Sequence, residues 1–409
     1  MMTVQTRKTL KWDLFRSIPQ GVLESIMTTF GVLVMVRVFE GDQYSKAAVV
    51  AAWPTGLLVS LFFVQWVRRS GMEVGRAMAG LNVLAAVGFA LIAFGGENQV
   101  LYVAGNALGA VGMASCLPLM SQVYRMHYPD SMRGKLFAYG GFARKVFAIA
   151  TALIGGWYLR QDLENYRYLF GAFMLACLMS AGISLQFGPV HLDRTKTVNL
   201  FHAFRHVKTD HEFRHLLISW MVLGIGNLLG MALFVEYISN RSYGYDLDEF
   251  QIGLITTFVP EASFFLVIMI WGRLFDRWNF YLLRATINLF FAAGIIVYFS
   301  GHGLAYLITG ISLWGIAKAG GNVCWSLWVT KFSKPEHVAE YMSVHTSLTG
   351  VRGISSPFIA FPLAVIIGPT WIGIIGGSLI LVATAMIAPK IRFETKRRDG
   401  QQVEPDPRA

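Results

Sequence analysis

About twelve stretches of this chain run for roughly 17–25 residues with almost no charge, and short basic segments separate them. No motif constrains the fold as much as this pattern does. A helix rises about 1.5 Å per residue, so each run is long enough to cross the hydrocarbon of a bilayer. The approximate limits are 17–38, 47–67, 77–94, 100–124, 136–158, 168–187, 216–237, 250–271, 285–300, 304–330, 341–366 and 371–389. Two divisions rest on a few residues each. Gly301-His302-Gly303 parts the ninth and tenth runs, and Gly368-Pro369-Thr370 parts the last two.

Composition agrees with the pattern. The 409 residues are 55% hydrophobic and 14% charged, with a mean hydropathy of +0.50. Soluble domains carry about 25% charged residues. The expected class is an all-α, polytopic membrane protein. A net charge of +11 would point to nucleic acid in a soluble chain. Here the basic residues lie between apolar runs, where they set orientation, and no nucleic-acid partner is expected. Cys116, Cys177 and Cys324 all fall inside apolar runs and read as small core residues, without disulfide or metal-ligand spacing.

With the N-terminus inside, 26 of the 35 Lys and Arg fall in inner segments, five in outer segments and four within spans. That bias places both termini in the cytoplasm, consistent with an inner (plasma) membrane protein. The N-terminus is polar and basic over Met1 to Gln20 and reads as a cytosolic tail, with no small-residue cleavage signature after the first apolar run. The expected organisation is a six-helix bundle over 1–187, a cytosolic linker over 188–215, a second six-helix bundle over 216–389 and a tail over 390–409. In the linker, Leu200, Phe201, Phe204 and Val207 recur at helical intervals, which predicts an amphipathic surface helix.

Six ionisable side chains sit deep in the runs: Glu24, Arg144, Lys145, Glu261, Lys318 and Arg352. Charge at bilayer depth is costly and persists only with a partner, a wet cavity or a function. Glu261 and Arg352 lie about eleven residues into their runs, near the midplane, and Lys318 is at similar depth. Glu24, Arg144 and Lys145 lie nearer the cytosolic side. Polar neighbours recur at helical spacing around them. Gln20, Glu24 and Thr28 form one row, and Thr257 pairs with Glu261. Trp314, Lys318, Asn322 and Trp325 form a third stripe, and His345, Thr349, Arg352 and Ser356 a fourth. Asn106 and Asn227 add hydrogen-bonding capacity. Arg144 and Lys145 are adjacent and point about 100° apart, so they cannot both face one cavity squarely, and one of them is expected to pair with Glu24 or to stabilise the cytosolic end.

Two sequence patterns bear on enzymatic and ATP-driven chemistry. His211-Glu212-Phe213-Arg214-His215 matches a zinc-protease string, but it lies in the basic inter-half connection with no third ligand motif after it. No metal or cofactor is expected. No Gly-rich phosphate loop ending in Gly-Lys-Ser/Thr occurs, so the energy for any work should come from a gradient.

The halves repeat weakly. Val67-Arg68-Arg69-Ser70-Gly71 after the second run parallels Phe275-Asp276-Arg277-Trp278-Asn279 after the eighth, and Tyr128-Pro129-Asp130 after the fourth parallels Lys334-Pro335-Glu336 after the tenth. Parallel six-helix repeats are a transporter architecture. Gly272-Arg273-Leu274-Phe275-Asp276-Arg277 matches the core of the inner-loop signature Gly-x-Leu-x-Asp-Arg and lies where a copy belongs, so the chain resembles the major facilitator superfamily. The first-half copy is poorer: Val64 replaces the Gly and Arg68 the Asp, while Arg69 and Gly71 fit. The loop from Pro129 through Arg133 to Gly134 also looks like the family's connection after helix four. The Gly-Pro pair of the family's antiporter signature is absent from the fifth run, which has Ala152-Leu153-Ile154-Gly155-Gly156.

The resemblance implies twelve transmembrane helices in two pseudo-symmetric bundles around a central cavity, with helices 3, 6, 9 and 12 facing lipid. Within the limits above, those four runs carry no ionisable residue. It further implies a monomeric secondary transporter working by alternating access. The positive balance of the six charges favours a small organic anion. Substrate contacts are expected from Arg352, Lys318, Asn322, Asn227, Arg144 and Trp325. Proton coupling is expected at Glu261, Glu24 and His345, since burial and a nearby cation push a carboxyl in opposite directions. Gly272, Asp276, Arg277, Arg69 and Arg133 are the expected conformational motif, with Gly272 admitting close helix approach and Asp276 capping a helix. The alternatives are an exporter of amphipathic or drug-like compounds and a non-transporting sensor of the same fold. Unpaired Arg352 and Lys318 would favour anions, and fully paired cations the amphiphile.

Overall fold

The computed structural model describes residues 2–129, 131–193, 204–328 and 338–398. Among them the long helices are α1 Val4–Arg37, α2 Gln43–Ser70, α3 Val74–Phe94, α4 Gln99–His127, α5 Arg133–Gln161, α6 Tyr166–Ser184, α7 His211–Ser239, α8 Glu249–Arg277, α9 Phe280–Ser300, α10 Leu304–Leu327, α11 Val338–Ile367 and α12 Pro369–Arg398. No strand occurs among the described residues. Among the described residues eleven helices are long and apolar enough to cross a membrane. The twelfth, α10, has 24 residues but is diluted by Lys318, Asn322 and several glycines.

Local chemistry sets the helix ends. Thr3, Asp42, Asn98 and Asn279 cap the starts of α1, α2, α4 and α9 by accepting a backbone N–H two or three residues on. Asp248 and Gln251 form a reciprocal capping box at the start of α8. Gly303 and Gly368, both at positive φ, make the two shortest divisions predicted from sequence.

The chain divides into two compact units, residues 1–197 with 235–258, and residues 198–234 with 259–409. The last turn of α7 and the first turns of α8 therefore belong with α1–α6. Polar bonds hold them there. Lys46 Nζ donates to Glu236 Oε1 at 2.8 Å, and Asn240 donates to the same oxygen at 2.9 Å. Arg37 donates to the Leu247 carbonyl at 2.7 Å and lies 3.9 Å from Glu249, and Arg160 is 3.4 Å from Asp248. The aromatic core of this unit joins Phe30, Phe89, Tyr102, Phe170 and Phe173. In the second unit Phe234, Tyr298, Phe299 and Trp314 pack together, as do Phe213, Trp328 and Tyr341.

Several boundaries differ from the sequence expectation. The predicted N-terminal tail is helical from Val4, because Thr6, Thr9, Asp13 and Ser17 give α1 a polar stripe that finds partners in the first unit. Asp13 accepts from Tyr124 at 2.8 Å and Tyr128 at 3.3 Å, and pairs with Arg16 at 3.0 Å. At the other end α12 continues past residue 389 to Arg398. Of the predicted linker helix, Leu200 and Phe201 lie outside the described residues, as do Asp130 and Lys334 to Glu336. The described part is a single helical stretch, Arg205–Thr209, and α7 already begins at His211. α9 begins at Phe280, more than a turn before the predicted limit of 285, and so takes in the buried Arg284.

Candidate functional site

Residues of α1 and α5 build the first charged cluster, inside the first unit. Lys145 Nζ donates to Glu24 Oε1 at 2.5 Å, and Arg144 Nε lies 3.3 Å from Glu24 Oε2. Both adjacent cations, and not one alone, meet Glu24: the two long side chains reach separate oxygens of one carboxylate. The cluster keeps one net positive charge, and the Arg144 and Glu24 side chains are partly exposed.

One turn beyond Glu24, α1 widens into a π-helical turn over Ile26–Phe30, and α8 does the same over Leu254–Phe258. Both turns carry the string Thr-Thr-Phe. The Thr29 hydroxyl lies 2.7 Å from that of Thr256 and 2.9 Å from that of Thr257, and Thr257 donates to Thr28 at 3.0 Å. Four buried or half-buried hydroxyls thus bond in one cluster. π-turns of this kind recur at functional sites because they shift the register of the following residues. From the sequence alone Thr28 and Thr257 read only as polar neighbours of Glu24 and Glu261. The repeated Thr-Thr-Phe was the available signal.

In the second unit Lys318 Nζ donates to Glu261 Oε1 at 2.7 Å. Glu261 is 2% exposed, while the Lys318 side chain is 30% exposed. Gly315, one turn before Lys318, makes the pairing possible: a Cβ there would sit 2.6 Å from the Pro260 carbonyl. With only hydrogen at that position, α10 lies close enough to α8 for the pair to form. Lys318 also sits 5.4 Å over the Trp314 ring, whose Nε1 donates to Asn227 at 2.9 Å. Asn322, the next turn on, is exposed, and Trp325 is half-buried.

Arg352 has different neighbours. It is 8% exposed, donates from Nη1 to the Trp220 carbonyl, and packs on Gly224, where any Cβ would overlap the guanidinium. The predicted midplane trio is thus two arrangements, Lys318 with Glu261 and Arg352 with Trp220. His345 is fully buried between the rings of Trp220 and Trp328, each 5.2 Å away, and neither ring nitrogen has a hydrogen-bond partner among the described residues.

The conformational motif is also placed differently in part. Among the described residues nothing lies within 4 Å of a Cβ built at Gly272, so this glycine does not mediate a close approach. Asp276 is exposed, and the cap of α9 is Asn279, which accepts from Tyr281 N at 2.8 Å. Arg277 and Arg69 are exposed. Arg133 donates to the carbonyls of Arg125 and Tyr128, both at 3.3 Å, closing the end of α4. In the zinc-like string, Glu212 accepts from Tyr281 at 2.8 Å and His215 bonds the Met386 carbonyl at 3.0 Å.

Long apolar helices with ion pairs inside the bundles define a polytopic membrane protein. The chain belongs to the Major Facilitator Superfamily, whose family model matches residues 14–279. No curated protein matches the chain. Among solved structures it is similar to a mutant of the nucleoside transporter NupG, with a TM-score of 0.75 and 13% identity over 93% of this chain and 99% of that one. A POT family transporter in complex with 5-aminolevulinic acid gives a TM-score of 0.72 at 13% identity, covering 93% and 96%. The human organic anion transporter MFSD10 (TETRAN) gives 0.61 at 14% identity, covering 93% and 99%. At these identities the likeness shows the fold. Family and fold together make the chain a secondary transporter.

Proposed function

We propose that the protein carries a small organic anion across the plasma membrane by alternating access, coupled to protons, with both termini in the cytoplasm. The carrying observation is the Lys318–Glu261 pair, a buried carboxylate hydrogen-bonded to a partly exposed cation. Protonation of Glu261 neutralises the carboxylate and leaves Lys318 as a docking charge for an anionic substrate. The substrate's departure restores the pair and favours release of the proton. Trp314, Asn322 and Trp325 lie on the same helix and supply ring and amide contacts. The Glu24–Arg144–Lys145 cluster, with one excess positive charge, is the second docking point.

The bonds around Glu236, Glu249 and the threonine quartet supply a latch that must open for exchange on that face. The resemblance in fold to an organic anion transporter agrees with this reading. The test is a screen in proteoliposomes loaded with a pH-sensitive dye. A panel of carboxylates and organic phosphates is added outside, and at least one should move protons with it. Proton flux with none of them, but with lipophilic cations, would favour export of amphiphiles, the reading that the pairing of Lys318 supports. Saturable binding without flux would favour a sensor.

A further inference from the structure

A cleft of about 710 Å³ opens in the first unit between the end of α2 and the start of α3. That is the size of a small-molecule site, and none of the charged clusters described above contributes to it. Its walls change character along the helix axes. Phe63, Trp66, Ala77, Leu81 and Leu84 line the apolar part, and Glu73, Arg76 and His191 the polar mouth. Leu84 follows Glu73 by eleven residues, so the cleft extends about 16 Å along α3. The mouth sits where α2 ends and α3 begins, at the level of the membrane surface, and the apolar part reaches into the hydrocarbon. Trp66, 53% exposed, stands between the two, at the depth that tryptophan favours.

The mouth is held in place. Val74 N donates to the Val190 carbonyl at 2.8 Å and His191 Nδ1 to the Gly71 carbonyl at 3.2 Å, which pins the segment after α6 against the turn between α2 and α3. Gly80 opens the middle of the cleft: it is exposed, and nothing among the described residues lies within 4 Å of a Cβ built there. The charges select the occupant. Glu73 meets Arg76 Nε at 3.4 Å, and the Arg76 side chain is 75% exposed. A guanidinium has five donors, so it can add a phosphate oxygen and keep that partner. Arg69, exposed one turn after Trp66, gives this end two cations against one carboxylate. The geometry points to a bound anionic phospholipid, its phosphate on Arg76 and an acyl chain laid along Gly80 between α2 and α3. With the termini in the cytoplasm, as proposed above, the lipid comes from the inner leaflet. Its binding depends neither on that orientation nor on the transported solute.

The test uses the full-length protein, purified in a maltoside detergent and stripped of lipid. It is titrated with dioleoyl phosphatidylglycerol or dioleoyl phosphatidylcholine, and bound lipid is counted by native mass spectrometry. The wild type should retain a first phosphatidylglycerol at a concentration roughly tenfold below that needed for phosphatidylcholine. Arg76→Gln should weaken that first lipid roughly tenfold, the effect of losing one hydrogen bond to a charged group, and should erase the preference. Gly80→Leu keeps every charge, fits without strain, and should weaken both lipids by filling the cleft. Glycerophosphate, which lacks the chains, should not compete at lipid concentrations. Equal retention of the two lipids by the wild type would overturn the proposal, as would undiminished retention of phosphatidylglycerol in either variant. Competition by glycerophosphate at the lipid's own concentration would assign the mouth to a free phosphate and reject the lipid. If Arg76→Gln does not fold, Gly80→Leu decides. Because the readout is bound lipid, a failed transport assay leaves this result untouched.

Discussion

Replacing Lys318 by Met should expose how strongly the buried pair couples α8 to α10. At 2.7 Å, two unit charges attract by about 6 kcal/mol at an effective dielectric near 20. The desolvation of Glu261 offsets a large part of that gain, and the 30% exposure of the Lys318 side chain screens more of it. A net coupling of about 1–3 kcal/mol remains. Lys318→Met should cost more than the coupling alone, about 2–4 kcal/mol, because it strands a carboxylate that is 2% exposed. Glu261→Gln keeps the shape and an acceptor oxygen and should cost less. In the double variant Lys318→Met/Glu261→Gln neither charge is stranded, so much of the loss should return. The assay is thermal unfolding in detergent, followed by intrinsic tryptophan fluorescence, for the wild type, both single variants and the double. For a chain of 409 residues the Lys318→Met loss corresponds to a drop of roughly 2–5 °C. Strictly additive single effects, within about 0.5 kcal/mol, would show that the two side chains do not interact and would refute the reasoning.

Two further outcomes follow from other parts of the structure. Thr29→Val keeps the side-chain shape but removes both hydroxyl bonds to Thr256 and Thr257, and should cost about 1–3 kcal/mol in the same unfolding assay. An unchanged midpoint would mean that the quartet does not hold the first unit together. Asp42 caps α2, and the Ser45 backbone N–H, then its hydroxyl, hold the carboxyl below its ordinary value of 3.8. A depressed folded value means that its contribution is present at neutral pH and fades as pH falls through the lowered value. Asp42→Ala should therefore cost roughly 1 kcal/mol at pH 7, and the gap from wild type should close on acidification below the ordinary carboxylate range. A gap that is constant with pH would deny the cap.

The helices were legible because apolar length, basic loops and single-glycine breaks are local signals. The divisions at Gly303 and Gly368 needed no tertiary information. What was not legible depended on which polar residues at span ends turn inward. Asp13 reads as part of a basic tail until Tyr124 and Tyr128, more than a hundred residues later, present their hydroxyls. Arg284 sits immediately before an apolar run and looks like a loop charge until Trp220 covers it. Lys46 looks like an outer-loop cation until Glu236 meets it. Glu261 and Lys318 were singled out by depth, yet only the close approach at Gly315 shows that they pair with each other. Asp276 and Gly272 show the converse, since their sequence motif matched while the cap fell to Asn279.

Proton coupling through Glu261 is the central claim, and one transport measurement tests it most directly. Wild type and Glu261→Gln are reconstituted in proteoliposomes and given the carboxylate that moves most protons in the wild type. Uptake is compared with and without an inward pH gradient, alongside exchange against preloaded solute. The account predicts that Glu261→Gln loses gradient-driven accumulation while retaining exchange. Accumulation in Glu261→Gln that responds to the gradient as the wild type does would contradict it.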